Sequence, residues 1–268
     1  MIRLVLLGDP VSHSRSPAMH TAALAAAGIP GSYVARRVDE AGMAEAAAEM
    51  RSDGIDGANV TMPHKRTAHA LADRLSPGAE RAGSVNTWVR SGQTIEGFST
   101  DIDGVRRVWE ERLSSGELAL ILGAGGAAAA ALVALEGIHL AISARRPESA
   151  QAVASRVGVD AAVVEWGEPI RGAVLVNATP LGMNGEVLPD AVVEEASGLL
   201  EMAYGPVETP AVRRARQAGL QVADGLDLLV AQAEESFRLW TGAFSAPGVM
   251  EAAARKNSRH PGEGPNHS

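Results

Sequence analysis

The sequence predicts an α/β protein made of two consecutive βα blocks, each built on a mostly parallel sheet. Three observations carry that prediction. Short apolar runs alternate with helical stretches, and the alternation restarts near residue 118. A glycine cluster, Gly123-Ala124-Gly125-Gly126, stands between a strand pattern and a helix pattern. The 268 residues are 46% apolar and 21% charged but only 3% aromatic, so the core must come from Ala, Val, Leu and Ile.

The elements follow in order. Residues 2–7, continuous in Leu and Val, predict a buried strand. Ser16 is the expected N-cap of the next helix, Pro17 suits its first position, and Gly28 ends it. Residues 32–38 predict a strand, 40–51 a helix, 55–60 a strand and 63–75 a helix. Residues 84–90 and 94–99 flank Ser91-Gly92-Gln93 and predict a hairpin at the sheet edge. A linking helix over residues 103–114 leads into the second block. That block has strands at 118–122, 138–143, 173–178, 199–203 and 221–223, and a helix at 127–136. Residues 225–242 predict a long helix with Leu229, Ala233, Phe237 and Trp240 on one face. The last residues are polar and without period, as in a flexible tail.

Composition excludes several functions. With no cysteine there is no disulfide, Cys-ligated zinc, iron–sulfur cluster or thiol nucleophile. A net charge of -8 argues against nucleic acid as a partner. No apolar run approaches the roughly 20 residues of a membrane span. The apolar start is cut short by Asp9 and Pro10, too early for a signal peptide, so the expected location is the cytoplasm. The histidines form no ligand pair of the H-E-x-x-H kind, so no metal is expected. Gly97-Phe98-Ser99 lacks the second glycine of a serine-hydrolase elbow.

The glycine cluster is the most informative motif. Gly123, Ala124, Gly125, Gly126, Ala127 and Ala128 fit G-x-G-x-x-G/A in the required setting, after a strand and opening a helix. Such glycines let a pyrophosphate approach the backbone, and the helix N-terminus offers free N–H groups. The residues thus predict a Rossmann-type dinucleotide site, against the plainer reading of a loop in an Ala- and Gly-rich chain. The following strand ends in Ala144-Arg145-Arg146, where an NAD site would carry an acid. Arg145 is the preferred partner for a 2′-phosphate, with Arg146 equally explicable as surface charge, and NADP is the expected cofactor.

Three segments carry candidate substrate groups. Residues 8–17 place Ser12, Ser14 and Ser16 ahead of a helix, an arrangement that suits a carboxylate or phosphate, with Ser12 read as an ordinary turn serine. Asn59-Val60-Thr61-Met62-Pro63-His64-Lys65 ends a strand and puts a lysine at the positive end of a helix, where the dipole disfavours it. Asp101 starts the linking helix, where a plain N-cap role would suffice.

Residues 8–20, 59–65, 83–87 (Gly83-Ser84-Val85-Asn86-Thr87), 97–104, 123–128, 177–183 (Asn177-Ala178-Thr179-Pro180-Leu181-Gly182-Met183), 204–210 and 224–242 resemble the shikimate dehydrogenase family. The eight motifs run in family order over nearly the whole chain. The resemblance implies NADP-dependent interconversion of 3-dehydroshikimate and shikimate, a step of aromatic amino-acid biosynthesis. It implies a substrate-binding domain over residues 1–103 with 225–256, the last helix returning to it, an NADP-binding domain over 104–224, and a tail at 257–268. Lys65 and Asp101 match the catalytic pair. Ser14 and Ser16 match groups holding the substrate carboxylate. Thr61, Asn86 and Gln232 match groups bonding the ring hydroxyls or the carboxylate, while Asn59 and Tyr204 line the pocket. Ala144, Arg145, Arg146, the glycine turn and Gly225 match cofactor-binding positions, and Thr179, Leu181, Gly182 and Met183 belong to the loop that matches the nicotinamide end. A homodimer is compatible with it.

The chemistry agrees with those roles. Reducing a ketone needs a hydride and a proton for the developing alkoxide, and an ammonium at Lys65 can stabilise and protonate it. Five positions depart from the family pattern: Ser99 and Thr21 stand where Asn is usual, Ala144-Arg145-Arg146 replaces Asn-Arg-Thr at its first and last residues, and Ala129 follows the glycine turn. They leave open a paralogue acting on quinate, an aminoshikimate or another cyclic hydroxy acid. A catalytically weak NADP-binding module is the rival from a different class.

Overall fold

The computed structural model describes residues 1–113, 116–205 and 207–256; the predicted tail at 257–268 and the last residue of the predicted linking helix lie outside the described residues. Two six-stranded sheets follow one another along the chain. The first contains β1 (Ile2–Gly8), β2 (Gly31–Arg37), β3 (Gly57–Val60), β4 (Arg74–Leu75), β5 (Thr87–Ser91) and β6 (Thr94–Phe98) in the order β2-β1-β3-β5-β6-β4. β1, β2 and β3 are parallel, and the β5–β6 hairpin joins antiparallel to β3. The second contains β7 (Leu118–Leu122), β8 (His139–Ser143), β9 (Ala162–Val164), β10 (Val174–Asn177), β11 (Gly198–Glu201) and β12 (Gln221–Ala223). Its order is β12-β11-β10-β7-β8-β9 and every pair is parallel. The strand order reverses between β7 and β10, which is where such sheets bind ligands beyond their carboxyl ends.

Eleven described helices cover the sheets: α1 (Ser16–Ala26), α2 (Glu40–Arg51), α3 (Lys65–Leu71), α4 (Pro77–Ala82), α5 (Thr100–Arg112), α6 (Gly126–Ala134), α7 (Pro147–Val157), α8 (Asp190–Glu194), α9 (Pro210–Gln217), α10 (Gly225–Thr241) and α11 (Val249–Lys256). α10 packs on α5 and also reaches α1, α11 and β5. Gly104 makes the α5–α10 contact close: a Cβ there would lie 3.0 Å from Leu228 and 3.3 Å from Gln232.

The scarcity of aromatics is met by small residues. Ala128 to Ala131 of α6 are wholly buried, which lets that helix lie tight against its sheet. Trp88, Phe237, Met19, Met43 and Met50 fill the first sheet's two faces. Each such side chain contributes roughly 1.5–3 kcal/mol by leaving water.

Several expectations need correction. Residues 63–75 do not form one helix. α3 begins at Lys65 and ends at Leu71, after which the two-residue β4 pairs with β6, so β4 rather than the hairpin forms the edge. Ser16 is not the N-cap of α1 but its first residue; Arg15 occupies the cap, and the Ser14 hydroxyl accepts the Ser16 N–H at 3.2 Å. Asp101 does not cap α5 either, because Ser99 holds that position and the Asp101 carboxylate points elsewhere. The periodicity does not predict α4, α7, α8, α9, α11 or β9. Most are short, and half of the buried residues of α7 and α11 are alanines, which mark an apolar face only weakly.

Candidate active site

The second sheet builds a dinucleotide cradle at the ends of its central strands. β7 runs into Gly123, whose φ of 119° lies outside the range of ordinary side chains, and whose N–H bonds the Ser143 carbonyl. A Cβ at Gly123 would sit 2.9 Å from the Ala178 carbonyl oxygen. At Gly125, by contrast, a Cβ would meet nothing within 4 Å, so backbone faces open space just where α6 begins. Bare backbone at a helix N-terminus fits a pyrophosphate in both shape and charge. Ala144, buried, and Arg145 and Arg146, both exposed, follow β8 next to this turn, so a guanidinium is available for a 2′-phosphate.

On the other flank lies the 177–183 segment. The Asn177 side chain accepts from the Thr179 N–H (3.1 Å) and hydroxyl (2.6 Å), and donates to the Leu181 carbonyl (3.0 Å). It also donates to Glu201 at 2.7 Å. Burial pushes the Glu201 carboxyl up to about 7, against the pull of the Ala203 N–H, Thr209 and Asn177 donors. Gly225 opens α10 under the Ala203 carbonyl, so close that a Cβ would overlap it.

The first sheet supplies the polar wall. Asn59 accepts from the Tyr33 hydroxyl (2.8 Å) and donates to Thr87 (3.1 Å) and Ser236 (3.0 Å). Asn86 accepts from the Thr100 N–H (2.8 Å) and donates to Gln232 (3.0 Å). Thr87, Thr100 and Ser236 close the network with mutual contacts of 2.9 to 3.2 Å. Asn59, Asn86 and Gln232 thus belong to one connected array. Ser14 and Ser16 pair at 3.2 Å. Burial raises the phenols of Tyr204 and Tyr33, and their interactions with Ser14 and Ser16 respectively oppose it. Thr61 stays outside the array, with its methyl group against Gly8. Beneath Tyr33 stacks His20, ring centroids 4.4 Å apart. Among the described residues neither His20 nitrogen has a well-formed hydrogen bond, and burial, opposed by the nearby Asn59 side chain, lowers its pKa to about 3, so this ring is neutral.

Lys65 and Asp101 meet across the same region. The Lys65 ammonium donates to Asp101 Oδ2 at 2.5 Å; the lysine side chain is 21% exposed and the aspartate 5%. The Lys65 carbonyl accepts the Val85 N–H, which ties the base of α3 to the segment carrying Ser84 and Asn86. Ser84 in turn lies against the start of α6: a Cβ on Gly126 would be 2.7 Å from its hydroxyl. The lysine and the cradle are therefore one short segment apart.

Sequence reasoning missed Tyr33, Thr87, Thr100, Ser236, Glu201 and Thr209. Ser236 offered a signal, since it sits beside Phe237 on the buried side of α10, where a polar residue needs a partner. Thr209 offered one too, standing before Pro210 as an N-cap does; Thr87 and Thr100 lie inside the quoted motifs without a role of their own, and Tyr33 and Glu201 carry no local pattern.

The fold and this arrangement together define an α/β dinucleotide oxidoreductase. Comparison with known proteins makes the class specific. Residues 6–88 match the family model of the shikimate dehydrogenase substrate binding domain. A shikimate dehydrogenase (NADP(+)) from Thermus thermophilus is 38% identical over 266 residues, covering 96% of this chain and 98% of that protein. One from Thermococcus kodakarensis is 37% identical, covering 93% and 94%. The crystal structure of a shikimate 5-dehydrogenase from Thermus thermophilus in complex with NADP(H) and shikimate aligns with a TM-score of 0.87 at 35% identity, covering 96% of this chain and 100% of that one. The chain belongs to the shikimate dehydrogenase (NADP+) family.

Proposed function

We propose that this protein reduces 3-dehydroshikimate to shikimate with NADPH, reversibly. The Lys65–Asp101 pair beside a wall of buried hydrogen-bonding groups carries this reading. NADP would be held by the 123–127 turn and the N-terminus of α6, with Arg145 and Arg146 at the 2′-phosphate and Ala144 under the adenosine. Thr179, Leu181, Gly182, Met183 and Gly225 would flank the nicotinamide. Residues 1–103 with 225–256 act as the substrate-binding domain and 104–224 as the cofactor domain. The bonds from Trp240 to the Trp88 carbonyl and from Asn59 to Ser236 support assigning α10 to the first.

When bound, the reduced cofactor supplies a hydride. The rest is the work of side chains. Ser14 and Ser16 hold the substrate carboxylate, with Tyr204 beside them. Asn59, Thr61, Asn86 and Gln232 orient the ring through its hydroxyls and carboxylate. Lys65 sets its ammonium at the ketone oxygen, stabilises the alkoxide as charge develops, and donates the proton. Asp101 fixes the direction of that ammonium and accepts from a ring hydroxyl. In the reverse direction Lys65 takes the proton from the alcohol. The same reading expects a cytoplasmic enzyme and a homodimer, and light scattering decides the assembly.

The test is reduction of NADP+ by the purified protein with shikimate, quinate or no substrate in parallel, and NAD+ as control. Strong turnover with shikimate and NADP+ alone is expected. Turnover confined to quinate moves the substrate, and binding of NADP+ without any turnover overturns the enzymatic reading.

A further inference from the structure

The substrate wall and the cofactor cradle belong to different sheets, so something must fix the nicotinamide segment relative to the substrate side. Glu201, the last residue of β11, stands where that could be done. It is wholly buried and its carboxylate is fully used. Oε1 accepts from the Asn177 amide at 2.7 Å and from the Ala203 N–H at 3.0 Å, and Oε2 accepts from the Thr209 hydroxyl at 3.0 Å.

Each partner leads to a different part of the site. Asn177 organises the turn through Thr179 and Leu181, and the Thr179 hydroxyl passes the constraint on to the Leu181 N–H at 3.2 Å. Ala203 precedes Tyr204, and its carbonyl closes over Gly225 at the start of α10, the helix that carries Gln232. Thr209 caps α9 by accepting the Val212 N–H. A backbone bond from Met202 to the Asn177 carbonyl runs alongside but orients no side chain. A fully buried carboxylate needs its donors, and removing it would leave one of the two Asn177 amide N–H groups and the Ala203 N–H unpaired in the interior, the other amide N–H keeping the Leu181 carbonyl.

We propose that Glu201 is a positioning residue, whose three hydrogen bonds hold the 177–183 segment in register with Tyr204 and the start of α10 so that cofactor and substrate meet in reacting geometry. This rests on the proposed dehydrogenase function. It predicts that the bonds matter rather than the charge. A glutamine can accept from Asn177 and Ala203 through its oxygen and donate to Thr209 through its nitrogen.

The experiment compares wild type, Glu201→Ala and Glu201→Gln by amide hydrogen exchange of the free protein, by NADP+ affinity from calorimetry, and by steady-state kinetics. In Glu201→Ala, exchange is expected to quicken at least tenfold in residues 177–183 and 203–205 but not in β1–β3. The NADP+ dissociation constant rises several-fold, and kcat/KM for shikimate falls at least tenfold with kcat carrying most of the loss. Glu201→Gln keeps wild-type exchange in both segments and kcat/KM within about threefold. Wild-type exchange in Glu201→Ala overturns the proposal. So does Glu201→Gln losing protection in either segment, which remains decisive when the alanine variant fails to fold. A wild-type protein with no shikimate turnover overturns the functional reading instead, and the exchange data then judge the positioning role alone.

Discussion

The ammonium of Lys65 lies 2.5 Å from the carboxylate of Asp101, 36 positions further along the chain. One begins α3 and the other sits in the first turn of α5, so the contact exists only once β3, β5 and β6 are paired. A lysine opening a helix meets the positive dipole end, and Asp101 offsets that cost. The aspartate is the more deeply buried partner, so it depends on the lysine for most of its compensation.

Replacing Lys65 by Ala is therefore expected to act twice. Turnover falls by roughly 10²–10⁴, the usual worth of a proton donor, while shikimate still binds because Ser14, Ser16, Asn86 and Gln232 are untouched. Unfolding free energy also falls, by roughly 1–3 kcal/mol, because a buried carboxylate loses its donor. Steady-state kinetics and urea titration read the two effects separately. Undiminished turnover in a folded variant would remove Lys65 from the chemistry.

The two arginines after β8 allow a sharper test of cofactor choice. Both are exposed, and neither guanidinium makes a hydrogen bond or ion pair among the described residues, so replacing one side chain should leave the fold intact. Arg145→Ala is expected to raise the KM for NADP+ by about 10–100-fold, the worth of a charge-assisted hydrogen bond, with little change for NAD+. Equal effects on the two cofactors would deny a 2′-phosphate contact.

Ser236 shows what the sequence withholds: its place on the buried side of α10 marks it as needing a partner, but not which partner. The strands and glycine turn were legible because each depends on neighbours in sequence, an apolar run or a fixed spacing. β7, α2 and β12 fall on their predicted bounds for that reason. Lys65, Asp101, Asn86 and Gln232 are picked out by family motifs, which record the outcome of folding without its cause. The residues joining them, Thr87, Thr100 and Ser236, meet only in three dimensions. No spacing rule connects Ser236 to Asn59, 177 positions away. The edge strand escapes the sequence for a related reason, since two residues, Arg74 and Leu75, are too few to show a period.

The consequence for Ser236 can be measured. Its hydroxyl contacts Asn59, Thr87 and Thr100 and donates to the Gln232 carbonyl. Ser236→Ala is expected to cost roughly 1–3 kcal/mol in urea denaturation, because buried partners lose an acceptor. It should raise the KM for shikimate more than it lowers kcat, since Asn59 and Gln232 loosen while the Lys65–Asp101 pair is not bonded to Ser236. A change confined to kcat would show that the array does not orient the substrate.

Glu201 sets a pH dependence whose sign follows from burial. Its folded pKa of about 7 lies above the ordinary 4.5, so the folded protein holds a proton that the unfolded chain has already released. Stability from this group is present in full below about pH 4.5 and is lost as pH rises toward 7, by roughly 3 kcal/mol for a shift of this size. Glutamine keeps the three hydrogen bonds and has no proton to lose. The unfolding free energy of Glu201→Gln relative to wild type is thus expected to rise by roughly 2–3 kcal/mol between pH 5 and pH 8, in parallel urea titrations. His20 contributes the same slope to both proteins and drops out of the difference, because neither its burial nor its stacking on Tyr33 involves Glu201. A difference that stays flat across that range would mean that Asn177, Thr209 and the Ala203 N–H stabilise the carboxylate as well as water does.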